Sequence, residues 1–165
     1  MKVAAPDQET RLHGAHHESL RLWLRMLTCT LTIERRVRTR LRERFAITLP
    51  RFDLMAQLER HPQGLKMGEL SRRLMVTSGS VTGLTDQLAA ERLVERTPIP
   101  ADRRAYLVRL TAKGKRVFDV MAAEHEDWVV AMFAGLSDSE RDRLHALLGR
   151  LKSTMRETDG KEARK

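Results

Sequence analysis

Between Thr48 and Thr111 the apolar residues run at helical spacing through three short segments and then switch to strict alternation. That single change of period narrows the available folds more than any other feature of the chain. Phe52, Met55 and Leu58 mark one face of the first segment, with Thr48 as its N-cap and Pro50 in its first turn. His61-Pro62-Gln63-Gly64 stops it. The second segment runs from about Met67 to Met75, with Leu70 and Leu74 inward. Thr77 caps the third, from about Ser78 to Glu91. Beyond Arg92, Tyr106, Val108 and Leu110 alternate with Leu107 and Arg109. Residues 93–97 and 105–111 therefore read as two strands, joined by a tight polar loop containing Pro98, Pro100 and Asp102.

Longer helices flank this unit. Residues 17–45 contain neither Pro nor Gly, and Leu20, Leu24, Leu27 and Leu31 recur at helical spacing, followed by Ile33, Val37 and Leu41. The second half of that helix is rich in arginine, through Arg35, Arg36, Arg38, Arg40, Arg42 and Arg44. Thr111 caps a helix running to about Ala134, which Gly135 ends. Ser137 and Glu140 form a capping box for a last helix reaching about Glu157. The expected fold is mainly α with a small β-hairpin wing. A winged helix-turn-helix over 48–111 is joined to a helical dimerisation region over 17–47 and 112–157. Residues 1–16 form a flexible arm and 158–165 a charged tail. The apolar stripes through Val117, Val120, Met121, Trp128 and Met132, and through Leu144, Leu147, Leu148 and Leu151, exceed what one lobe of this size can bury, so the chain is expected to pair with a second copy as a homodimer.

Lys and Arg total 31 against 22 Asp and Glu, a formal charge of +9 that favours a polyanionic partner. No run of about 18 apolar residues is present, which argues against a membrane span. The first ten residues lack the apolar core of a signal peptide. Cys29 is the single cysteine, excluding an intrachain disulfide and any multi-cysteine zinc site. These features point to the cytoplasm. There is no Gly-rich phosphate loop, nucleophile elbow or spaced metal triad, so neither an enzyme, a cofactor nor a metal is expected. His13, His16 and His17 read as surface histidines. The basic stretch from Glu34 to Arg44 carries charge around too much of its helix for a clean membrane anchor.

The third short helix carries the binding chemistry. On a helical wheel Val81, Leu84 and Leu88 face the core, while Gly79, Thr82, Gly83 and Asp86 face out. A helix entering the major groove of duplex DNA needs a small face of this kind near its N-terminus. Ser78, Ser80 and Thr82 can hydrogen-bond phosphates or base edges, Gly83 permits close backbone approach, and Gln87 can read adenine if it reaches. The plainer reading of the same residues is capping and packing. At the hairpin tip, Asp102-Arg103-Arg104 places cations where a narrow minor groove would attract them, with Asp102 turned back to orient an arginine.

From Thr48 to Gly114 the chain resembles the MarR family of bacterial regulators. The resemblance rests on Gly68-Glu69-Leu70 with Leu74, Val76-Thr77, Val81-Thr82 through Asp86-Gln87-Leu88, Leu93-Val94-Glu95-Arg96, Asp102-Arg103-Arg104 and Leu110-Thr111-Ala112-Lys113-Gly114. It implies a homodimer joined by its terminal helices, with recognition helices in successive major grooves of a palindromic operator and wings in the flanking minor grooves. It gives Arg104 the minor-groove contact and Asp86 the task of holding a wing arginine, with Arg103 as a candidate partner. Lys66 departs from the family, which usually places Thr or Ser there. A cation at a helix N-terminus is unfavourable, so either Lys66 reaches a phosphate or the helix starts elsewhere.

The segments from Leu49 to Leu54, Gly68 to Leu74 and Ser78 to Leu84 look like the branch controlling aromatic-acid catabolism, which implies a repressor released by a hydroxycinnamate or its coenzyme A thioester. An effector pocket is expected between the first, second and fifth helices, lined by Trp23, Leu27, Leu31 and Phe52, with Arg36 and Arg40 neutralising a carboxylate or phosphate. Cys29 does not match the reactive position of the hydroperoxide-sensing branch and is expected to be a buried, inert thiol. The alternatives are a redox-responsive regulator of the same fold or a basic membrane-surface or interaction protein.

Overall fold

The computed structural model describes the backbone of residues 17–99 and 102–162, and the side chains of 17–99 and 106–156. The expected arm over 1–16 lies outside the described residues, as do Pro100 and the side chains of Asp102, Arg103 and Arg104. The elements in chain order are α1 (Glu18–Phe45), α2 (Leu49–Glu59), β1 (Leu65–Lys66), α3 (Met67–Leu74), α4 (Ser78–Ala90), β2 (Val94–Ile99), β3 (Asp102–Leu110), α5 (Ala112–Phe133) and α6 (Asp138–Glu162). They fall into two compact units, divided within α5 between His125 and Glu126.

In the first unit the core gathers one face from each short helix. Phe52, Leu54, Met55 and Leu58 come from α2, Leu70 from α3, and Val81 and Leu88 from α4. Val94 and Val108 close it from the sheet, and Phe118 and Met121 from α5. Each such side chain, fully withdrawn from water, contributes about 1.5–3 kcal/mol. The sheet is antiparallel with strand order β1-β3-β2. Val94 pairs with Leu110 and Pro98 with Tyr106, and the register breaks between Pro98 and Ile99. β2 is an edge strand, where a proline costs no ladder hydrogen bond. β1 was not foreseen, because two residues cannot display alternation. It pairs Leu65 with Val108, and Gly64 leads into it at φ +91°. A side chain at Gly64 would meet the Val108 carbonyl oxygen at 2.9 Å.

Several boundaries are local chemistry. Thr48 stands at the N-cap of α2 with extended backbone, but its side chain makes no cap bond; its carbonyl instead accepts from Arg51 and Phe52. Thr111 does cap α5, accepting from the Gly114 N–H at 2.9 Å. α1 buries only Val37 and Leu41. Its first half leaves Leu20, Leu22, Trp23 and Leu31 exposed, and Cys29 is exposed with them, correcting the expectation of a buried thiol. The apolar spacing there is real, but of that stripe only Leu24 and Leu27 are even half-buried.

The second unit contains the end of α5 and all of α6. Ser137 and Glu140 form the expected capping box, the Ser137 N–H donating to Glu140 Oε2 at 2.8 Å and the Glu140 N–H to Ser137 Oγ at 3.4 Å. The Ser137 hydroxyl, donating to Glu140 Oε2 at 2.7 Å, and then the Ser137 N–H hold the Glu140 carboxyl below its usual range. α6 continues to Glu162, further than the expected end near Glu157 and into the segment read as a charged tail. Leu144, Leu147, Leu148, Leu151 and Met155 along it are 38–53% exposed.

Candidate nucleic-acid interface

α4 begins as the sequence requires. Thr77 has extended backbone and its Oγ1 accepts from the Ser80 N–H at 3.2 Å. The inward line is Val81, Thr85 and Leu88, all fully buried, with Leu84 only half-buried. Thr85 was missed as a core residue because it is polar. Its hydroxyl donates to the Val81 carbonyl at 2.7 Å, which removes the penalty of burying it. Ser78, Gly79, Ser80, Thr82, Gly83, Asp86 and Gln87 are all exposed. Nothing lies within 4 Å of the position a Cβ would take at Gly79 or Gly83. The hydroxyls are partly engaged: Ser80 with Thr77 Oγ1 at 2.9 Å, and Thr82 donating to the Ser78 carbonyl at 3.0 Å. Each retains capacity for a further hydrogen bond.

Asp86 pairs with an arginine of the hairpin, Arg96 of β2. Arg96 Nη2 lies 2.7 Å from Asp86 Oδ1 and 3.5 Å from the Thr82 carbonyl oxygen. The sequence reading singled out the tip arginines and passed over Arg96. On β2 it shares the face of Val94 and of its cross-strand partner Val108, and extends beyond the core edge to reach α4. The opposite end of α4 is anchored as well. Arg51 Nη2 lies 2.6 Å from Glu91 Oε2, and Lys113 Nζ donates to the Glu91 carbonyl at 2.9 Å.

Lys66 is the residue before α3, and that helix does begin at Met67. The Lys66 N–H donates to Glu69 Oε2 at 3.0 Å, so a first-turn carboxylate offsets the unfavourable cation. The Lys66 side chain is exposed. Arg72 and Arg73, in the last turn of α3, are exposed too and extend the basic surface next to α4.

The expected effector residues are not brought together. Trp23 and Leu31 are more than half exposed, Arg36 is exposed, and Leu27 and Arg40 are half-buried. Phe52 lines a cleft of about 400 Å3 between α2, α3 and α5, shared with Asp53, Arg60, Arg73, Phe118 and His125. Phe52 stacks on Phe118 at 5.4 Å between centroids and lies 5.1 Å from the His125 ring. Burial keeps His125 below its ordinary pKa. Burial also raises Asp53, with Glu34 reinforcing the shift and Arg38 opposing it.

A short helix with a small exposed face, set after a tight turn and tied by an ion pair to an antiparallel hairpin, defines a winged helix-turn-helix. Residues 47–105 match the model of the MarR family. The transcriptional repressor YetL of Bacillus subtilis is 32% identical over 98 residues, 59% of each chain. A MarR family transcriptional regulator from Silicibacter pomeroyi, 28% identical, superposes with a TM-score of 0.72 over 87% of this chain and 99% of its own. The fold is also that of the E. coli MarR C80S mutant complexed with operator DNA, 24% identical, with a TM-score of 0.71 over 84% of this chain and 99% of its own. The first is a transcriptional repressor and the second a transcriptional regulator. The chain spans about two thirds or less of the length of the curated relatives it matches. Among the described residues, no helix is long and apolar enough to cross a membrane.

Proposed function

We propose that this protein is a homodimeric, cytoplasmic transcriptional regulator. It binds a palindromic operator, represses from it, and leaves it when an aromatic acid or its coenzyme A thioester binds. The observation that carries the DNA reading is the exposed small face of α4, held at a fixed angle to the wing by Asp86 and Arg96. Ser78, Gly79, Ser80, Thr82, Gly83 and Gln87 supply the groove-facing surface. Lys66 supplies a phosphate contact, and Arg103 and Arg104 reach the minor groove. The uncovered apolar residues of α1 and, separately, of α6 support a second copy as partner. The cleft supports the effector class, because Phe52 and Phe118 offer an aromatic wall and Arg60 and Arg73 offer cations to a carboxylate.

Selecting duplexes from a random-sequence pool, then measuring affinity by fluorescence anisotropy across a salt series, tests the DNA reading. The expected log–log slope is about −0.9 per phosphate neutralised. Arg104→Ala should weaken binding by about 1–3 kcal/mol and leave the dimer intact by ultracentrifugation. A chain that selects no duplex, or that stays monomeric, refutes the proposal. Titrating a hydroxycinnamate and its coenzyme A thioester into the complex tests the effector class, which indifference to both would eliminate.

A further inference from the structure

The turn between α3 and α4 carries a side chain that the fold does not use. Met75 caps α3 in the left-handed region, at φ 53°, where an L-residue is strained and glycine is not. Its side chain is 92% exposed, the most open of the large apolar residues described, so no packing offsets that strain. The turn itself is firmly held. The Val76 N–H donates to the Ser71 carbonyl at 3.2 Å, and Ser71 Oγ donates back to the Val76 carbonyl at 2.6 Å. Val76 beside it is also partly exposed. Arg72 and Arg73 precede this apolar tip, and the capped, small-faced start of α4 follows it.

A strained, unpacked methionine on a rigid turn, between two cations and the helix that presents hydroxyls and glycines, has the setting of a contact residue. We propose that Met75 is a DNA-contacting residue whose side chain lies against the apolar surface of the bound duplex, either the C–H face of a deoxyribose or a thymine methyl. The surroundings favour this partner, since the flanking cations suit phosphates and a protein partner's apolar patch would gain nothing from them. The inference rests on the proposed DNA-binding function.

Three proteins, wild type, Met75→Gly and Met75→Leu, are compared on a duplex that the wild type has selected from a random pool. A second version of that duplex carries uracil in place of thymine. Thermal unfolding is followed alongside. Met75→Gly should bind about tenfold more weakly, the effect of losing roughly 55 Å2 of buried apolar contact, while its Tm holds or rises because the strain is relieved. Met75→Leu should recover most of the affinity. The salt slope should not change, because no phosphate contact is lost. If uracil substitution weakens the wild type but not Met75→Gly, the contact is a thymine methyl; if it affects both equally, the contact is the sugar. Met75→Gly binding as tightly as wild type on both duplexes overturns the inference while leaving the DNA reading intact. A wild type that binds no duplex overturns both.

Discussion

Gly114→Ala places two well-characterised effects in direct opposition. Gly114 lies three residues into α5, where replacing glycine by alanine ordinarily stabilises a helix by about 1 kcal/mol. Here a Cβ would stand 1.8 Å from the Leu93 carbonyl oxygen and 2.8 Å from its carbon. A carbon–oxygen contact needs about 3.3 Å, so the backbone at Leu93 must retreat by roughly 1.5 Å. It cannot do so freely. That carbonyl accepts from the Thr111 N–H at 3.0 Å and lies 3.3 Å from Thr111 Oγ1, which also donates to the Arg92 carbonyl at 2.8 Å. Disrupting two such bonds costs about 0.5–1.5 kcal/mol each, and overpacking adds about 1–3 kcal/mol. Against the helical gain the net is a destabilisation of about 1–5 kcal/mol, a fall in Tm of roughly 2–20 °C. Scanning calorimetry of the two proteins at one concentration measures it. An unchanged or higher Tm would refute the reasoning, because it would mean that α5 and the α4–β2 turn do not meet as closely as described.

Gly83→Ala is the converse case. Its Cβ would meet nothing within 4 Å, so chemical denaturation should show a gain of about 0.5–1 kcal/mol. Anisotropy should show weaker DNA binding, since the added methyl stands on the groove-facing surface; tighter binding would argue against that face. His125 gives a pH dependence. Burial lowers its pKa from the usual 6.5, so the unfolded chain takes up a proton more readily than the folded one. Its contribution to stability is full above pH 6.5 and is lost as the pH falls through its lowered folded value. The Tm difference between wild type and His125→Gln, followed from about pH 8 to pH 5, should therefore shift against the wild type on acidification. A difference independent of pH would count against a buried neutral ring.

The fold was legible where local chemistry decides it. Thr77, Thr111 and the pair Ser137 and Glu140 cap their helices by side-chain hydrogen bonds between near neighbours in sequence, and such bonds can be read from spacing. The exposed face of α4 was legible for the same reason, because a helical wheel needs only the period. What was missed depends on residues far apart in the chain. β1 exists because Leu65 and Lys66 meet Val108 and Leu107, which no two-residue pattern can signal. Arg96 acquires its role only when β2 lies across α4. The effector set failed to converge because α1 is long: the Trp23 end, four turns before Val37, projects past the only part of that helix which enters the core.

The cleft and α4 meet at α2, and that placement constrains the proposed effector mechanism. Phe52 lines the cleft, and its neighbour Arg51 carries the ion pair to Glu91 at the end of α4. The Arg51 side chain is only 11% exposed, its Nε has no hydrogen-bond acceptor, and its Nη2 sits off the line of a hydrogen bond to Glu91. A guanidinium so desolvated tolerates little loss of its one counter-charge. Coupling between ligand and DNA sites is typically about 1–3 kcal/mol, which a change in this pair is large enough to supply. On the proposed reading, a ligand that wedges Phe52 from Phe118 rotates the turn of α2 bearing Arg51 and slackens the grip on α4. A ligand that fills the cleft and leaves the Phe52–Phe118 stack in place has no such route, and would bind without releasing DNA.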